Sequence, residues 1–307
     1  MNAPATERRA ARNSSKPDKV RSIRLEPWLL MSPTLALLLV FLVGPLLILL
    51  TYSFYRYVPG GTMEQTFVLE NYSKFLSDPF NLKVLWNTIK LGAIVTAVDV
   101  ALGLPVAYHL ARMRNRSMRA VLYALLLVPL MSSVVVRSYG WMVLLAPQGL
   151  VNTALLAVGI VDEPLALLYT PVGTAIALSA VLLPFMVIIL TPVLQSVEED
   201  LELAAQSLGA GNLRAFFDVV LPLARPGLGA GSVVVFVLAI GSFATPALVG
   251  GTSVLVMSLY IYQQALGQVL NWPFGSAMSW VLLSIVLLLI MLQARLLDRN
   301  SRWRGDA

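Results

Sequence analysis

Apolar residues fall in long blocks along the chain, not at the spacing of a strand or of a half-exposed helix. Six blocks, near residues 28–52, 87–110, 120–145, 171–195, 227–249 and 276–297, are almost continuously hydrophobic. Each reaches the length of about 20 helical residues that crosses a bilayer core. The pattern predicts six membrane-spanning helices. Residues 1–26 contain no apolar run and read as a polar, basic tail ahead of a permease body over 27–307. The first apolar block is too long for a cleaved signal segment, so it reads as a retained span. Between blocks three and four, residues 146–170 are apolar but broken by Pro147, Gly149, Gly159 and Pro164. A short helix over 152–158 fits there, as a gate or docking surface or as a loop packed on its neighbours.

Basic residues then give the orientation. Four segments hold 17 of the 22 Lys and Arg: the tail, the loop after span two (Arg112, Arg114, Arg116, Arg119), the loop after span four (Arg214, Arg225) and the C-terminus. All four lie on one side of a six-span arrangement, while residues 146–170 and 250–275 on the other side have none. The positive-inside rule puts both termini in the cytoplasm of a bacterial inner-membrane protein. The net charge of +6 is thereby a topology signal and gives no reason to expect nucleic acid. Composition narrows the chemistry further. With 58% hydrophobic and 12% charged residues, against about 25% charged in soluble domains, lipid is the expected solvent. No cysteine and a single histidine, His109, remove disulfides, thiolate sites and most His-based catalysis. No cofactor or metal is expected. No Gly-x-x-x-x-Gly-Lys-Ser/Thr loop is present, so ATP phosphates have no cradle. No internal repeat is evident, and inverted repeats with several buried ionisable groups, the marks of a stand-alone transporter or channel, are missing from the sequence.

The most patterned polar segment is residues 196–226. Ser196 and Glu199 have capping-box spacing, and Glu198, Glu199 and Asp200 suit a helix N-terminus. Leu201, Ala204, Ala205 and Leu208 make one small apolar face, and Gly209 suits the left-handed stop. Asn212 is placed to cap a second short helix ending at Leu221–Pro222. A helix–turn–helix of this kind fits a partner's groove.

Glu202-Leu203-Ala204-Ala205, Gly209 and Val219-Val220-Leu221-Pro222 resemble the signature loop of binding-protein-dependent ABC permeases, Glu-Ala-Ala, three residues, Gly, nine residues, then Ile-x-Leu-Pro. The departure is Leu203 at the glutamate position, with Glu202 one place earlier. Further strings resemble the spermidine/putrescine-type branch, over residues 87–295: Val136-Arg137-Ser138-Tyr139-Gly140-Trp141, Gly149-Leu150-Val151-Asn152, Asp162-Glu163-Pro164-Leu165, Leu168-Tyr169-Thr170-Pro171 and the run from Ala244 to Gly251. The resemblance implies an all-α type I ABC importer permease with a cytoplasmic coupling helix. It also implies an ATPase dimer seated on residues 196–226, a second and different permease subunit, and a periplasmic substrate-binding protein. The implied solute is polyamine-like. Ser242 and Ala247, however, stand where that branch often has acids, so an opine, an amino-acid-like compound or another small organic solute is the alternative.

Inside the spans, Asp99 is the one deeply placed ionisable residue. Gly92, Thr96, Asp99 and Gly103 share a helix face, so Asp99 faces protein. It reads either as a carboxylate on the solute path, with Tyr139 and Ser242, or as a helix–helix hydrogen bond. Arg137 reads as snorkelling to headgroups or as one half of a salt bridge.

Overall fold

The computed structural model describes residues 26–60, 62–267 and 269–302. The basic tail therefore lies, up to residue 25, outside the described residues. The chain divides into two units, residues 1–48 and 49–307. In the first lies most of helix α1 (Glu26–Ser53), an apolar helix with Pro33 and Pro45 inside it.

After the last turn of α1, the second unit continues with a two-stranded antiparallel ribbon, β1 (Arg56–Val58) and β2 (Thr62–Glu64). Helix α2 (Glu70–Ser77) and the long α3 (Pro79–Arg112) follow. The Asp78 side chain accepts from Phe80 N and Pro79 opens α3, the usual chemistry of a helix start. Next come α4 (Arg116–Met131), α5 (Val134–Leu144), α6 (Leu150–Ala157), α7 (Pro171–Gln195) and α8 (Glu199–Ser207). Helix α9 runs unbroken over Asn212–Gly241, and α10 (Met257–Leu266) and α11 (Trp272–Arg302) complete the order.

The core is α7, about half of which is buried, held between α3 and α9. Lipid tails are as apolar as leucine, so close packing, not hydrophobic exclusion, must hold these helices. Glycine permits it. Met186 of α7 lies so near Gly103 of α3 and Gly231 of α9 that an added Cβ would stand 2.8 Å and 2.9 Å from its side chain. Gly227 gives the same relief to Val193. The small-residue face expected on span two is thus a packing face.

Two expected spans are not continuous. The third, read as 120–145, is α4 and α5 bent by 99°. Pro129 removes a ladder donor. Ser132 Oγ donates to Pro129 O at 2.7 Å, and Ser133 Oγ accepts from Val135 N at 3.3 Å. Both ends are thereby capped by their own side chains, which compete with the helical ladder. The fifth, read as 227–249, begins earlier and stops at Gly241. Ser258 Oγ donates to the freed Ser242 carbonyl at 2.6 Å, and a π-turn follows over Pro246–Gly250. The short helix expected over 152–158 is α6, fixed by Asn152, which bonds the Ala146 and Leu165 carbonyls and the Leu165 amide.

Candidate functional site

The patterned loop builds its site from both helix ends. Ser196 Oγ donates to Val193 O at 2.7 Å, so it closes α7 and does not form the expected capping box with Glu199. Glu198 precedes α8 without a side-chain cap, and Glu199, Asp200 and Glu202 bring negative charge to the first turn. At the far end Gly209 takes φ +93°. Ala210 N bonds Ala205 O at 3.1 Å and Gly209 N bonds Gln206 O at 2.9 Å, the paired bonds of a left-handed stop. Gly211, not Asn212, caps the next helix. That helix does not end at Leu221–Pro222 as expected. A π segment over Phe216–Val220 lets Leu221 N reach Phe216 O, and the wider turn carries the chain past Pro222 into α9. Val219, Leu221 and Pro222 therefore lie in the continuous helix that joins the loop to a span.

Burial on α8 is divided by face. Leu201, Ala204 and Leu208 of the apolar row stand outward, with Leu208 91% exposed, and Leu203, Leu213 and Phe217 are exposed as well. Ala205 is half-buried. The acid turns the other way. Glu202 is buried, accepting from Tyr108 Oη at 2.5 Å through Oε1 and pairing with Arg112 at 3.3 Å through Oε2. Arg112 also donates to Val197 O at 2.9 Å, and Tyr108 packs edge-on against Phe216 with ring centroids 4.9 Å apart. One glutamate thus ties the loop to the end of α3, the end of α7 and the start of α9. The displaced acid next to Leu203 is an internal anchor. Tyr108 and Arg112 were missed in the sequence because they lie about ninety positions from Glu202, and Arg112 read only as a topology charge.

The three residues expected on a solute path do not form one cluster. Tyr139 is exposed on α5, and Ser242 sits at the break after α9. These two neighbourhoods are joined by a 2.9 Å hydrogen bond between Ser138 and Thr245, both fully buried. Asp99 lies instead between α3 and α7. It is fully buried and faces the Ser179 hydroxyl, yet neither carboxylate oxygen nor Ser179 Oγ closes a hydrogen bond. Arg137, expected to snorkel outward, turns inward and donates to Val181 O at 3.3 Å, because the bend after Met131 aims α5 at α7. A cavity of about 440 Å³ opens between α3 and α7, lined by Asn87, Lys90, Ile94 and Val98 of α3 and by Ser179 of α7, and Asp99 is not part of its wall. Among the described residues no three His, Cys, Asp or Glu gather where a metal ion could be held.

Comparison with known proteins gives three findings. The family described as "Binding-protein-dependent transport system inner membrane component" matches residues 100–303. The spermidine/putrescine transport system permease protein PotB of Escherichia coli (strain K12) is 33% identical over 266 residues, 86% of this chain and 96% of that protein. Its counterpart in Salmonella typhimurium (strain SL1344) is 32% identical over 292 residues, 94% of this chain and 98% of the other. Among solved structures, a bacterial alginate ABC transporter in complex with its alginate pentasaccharide-bound periplasmic protein has a chain of the same fold. It superposes with a TM-score of 0.72 at 18% identity, over 89% of this chain and 94% of that one.

Proposed function

The chain belongs to the family of binding-protein-dependent transport system inner membrane components, and we propose that it forms half of a solute path driven through residues 196–222 by a separate ATPase subunit. It is a multi-pass permease subunit of an ABC importer, and its relatives are transport permeases, not enzymes. In this reading ATP is hydrolysed on the partner that receives α8. A second permease completes the path, a periplasmic binding protein delivers the solute to the opposite face, and both chain termini are cytoplasmic. The orientation is supported by Arg112, which touches the loop and begins the basic run Arg114, Arg116 and Arg119. The names of the PotB relatives favour a polyamine-like solute.

The observation that carries the coupling role is the division of α8. Its apolar side stands free while its acid is consumed internally. Exposed Leu201, Leu208, Leu213 and Phe217 on an element anchored through Glu202 are what a partner's groove would take. Leu208→Glu places a charge at the most exposed of these residues without touching the anchor. Membrane abundance should stay at the wild-type level, while co-purification with the ATPase subunit falls at least about tenfold, the loss for roughly 1.4 kcal/mol. Undiminished co-purification and import by the variant would remove α8 as the docking element.

A further inference from the structure

The cavity between α3 and α7 has a polar end and an apolar body. Arg112, the last residue of α3, donates to Val197 just beyond α7, so the two helices run side by side in the same direction. Asn87 and Lys90 line the cavity toward the start of α3 and, three residues apart, share one helix face. Ser253 lines it as well, and all three residues are exposed. Farther along, the wall is Ile94 and Val98 of α3 with Val172 and Ile176 of α7. These four apolar residues are exposed although they lie in spans. From Lys90 to Val98 the wall runs eight residues, about 12 Å at 1.5 Å per residue. The volume of about 440 Å³ is that of a ligand site.

Of the residues that line this space, Lys90 alone is charged. Among the described residues it forms no ion pair. A lysine near the end of a span ordinarily carries its ammonium toward headgroups, its stem along apolar surface. Lys90 does so in the wall of a cavity, where whatever reaches the ammonium also has a fixed apolar bed. We infer that the cavity holds one anionic phospholipid, its phosphate on Lys90 and Asn87 and an acyl chain against Ile94, Val98, Val172 and Ile176. The ammonium supplies a compact positive charge and the Asn87 amide two N–H donors, both suited to phosphate oxygens. An acyl chain is as apolar as leucine and covers the four exposed side chains, which a small soluble anion leaves bare. A zwitterionic headgroup brings its own cation to the phosphate and gains less from the lysine. A solute with positive ends meets Lys90 as a like charge. The importer reading enters only through the side of the membrane: in the orientation proposed above, the lipid belongs to the outer leaflet.

Photoactivatable lipids test this without depending on transport. The full-length chain, assembled with its ATPase subunit and second permease, is placed in liposomes containing phosphatidylglycerol or phosphatidylcholine with a diazirine on one acyl chain. After illumination the cross-linked peptides are quantified by mass spectrometry. Phosphatidylglycerol should label residues 87–98 and 171–179 about fivefold more than phosphatidylcholine, the ratio expected for one lysine meeting an anionic lipid. Leu287 and Leu288, exposed on α11, report bulk lipid and should be labelled equally by both. Lys90→Gln should lower the phosphatidylglycerol signal at the cavity to that of phosphatidylcholine, Lys90→Arg should keep the preference, and labelling of α11 should stay unchanged in both variants. Equal labelling of the wild-type cavity by the two lipids, or a preference that survives Lys90→Gln, would overturn the site. So would a cavity that neither lipid labels, since the second permease would then cover it. Loss of the lipid signal on adding millimolar butyrate would assign Lys90 to a soluble carboxylate and overturn it too. The predicted preference in a complex that imports nothing would leave the lipid site standing while the importer reading failed.

Discussion

Two buried acids hang on the same long helix α3, one at its end and one near its middle, and they are treated oppositely. Glu202 reaches the end of α3 from the loop and finds an arginine, a tyrosine hydroxyl and an aromatic shelf around it. Asp99, within α3 itself, finds only a serine that does not close on it. A buried charge that is paired and bonded has its work inside the protein, and here that work is to fix where α8 stands. A buried acid left without a hydrogen-bond partner does no such fixing work. The loop that carries α8 is therefore read as a mechanical part, and the centre of α3 as a place where the acid has no such fixing work, from the difference in their hydrogen bonding.

Removing one side of the clamp should have the largest effect. Arg112→Met leaves Glu202 buried without its cation and frees the Val197 carbonyl, a change that costs about 3 kcal/mol for a broken buried pair. The ratio of ATP hydrolysed to solute imported should rise at least about tenfold in proteoliposomes. The double variant Arg112→Met with Glu202→Met should recover a substantial part of that loss, because two apolar groups replace the pair. A double variant as uncoupled as the single would mean that the charges themselves are needed.

A smaller effect is expected from Tyr108→Phe. It deletes one hydrogen bond to Glu202 but keeps the ring against Phe216 and leaves Arg112 in place. The loss should be about 1 kcal/mol, so the same ratio should shift only a few-fold. A change as large as that of Arg112→Met would show that the tyrosine, not the ion pair, is the anchor.

The smallest effect on folding should come from Asp99→Asn. No hydrogen bond is lost and the side chain keeps its size, so the midpoint of thermal unfolding of the assembled complex should stay close to that of the wild type. A marked fall would place Asp99 with Glu202 as a structural group and erase the contrast between them.

Much of the architecture was legible because lipid makes it so. Runs of apolar residues of spanning length placed α1, α3, α7, α9 and α11, and Gly209 announced the end of α8 through the one conformation that favours glycine. The breaks were not legible. Hydropathy weighs Pro129, Ser132 and Ser133 as ordinary members of an apolar block, although their side chains cap two helices that bend by 99°. The π segment that carries α9 past Pro222 leaves no mark in composition either. Asp99 could be singled out in advance as a lone acid deep in a span, whereas the partners of Glu202 could not. A clamp between residues about ninety positions apart exists only once α3, α7 and α9 have packed.

The central claim is that α8 meets the ATPase. The chain has no cysteine, so a single introduced thiol carries a cross-linker to one place. Leu208→Cys and Val158→Cys put that thiol at two highly exposed positions, 91% and 73% accessible, on loops that the charge pattern assigns to opposite membrane faces. With a photoactivatable maleimide in the assembled transporter, residue 208 should capture the ATPase subunit and residue 158 should not. Capture of the ATPase from residue 158, or its absence from residue 208, would contradict the account.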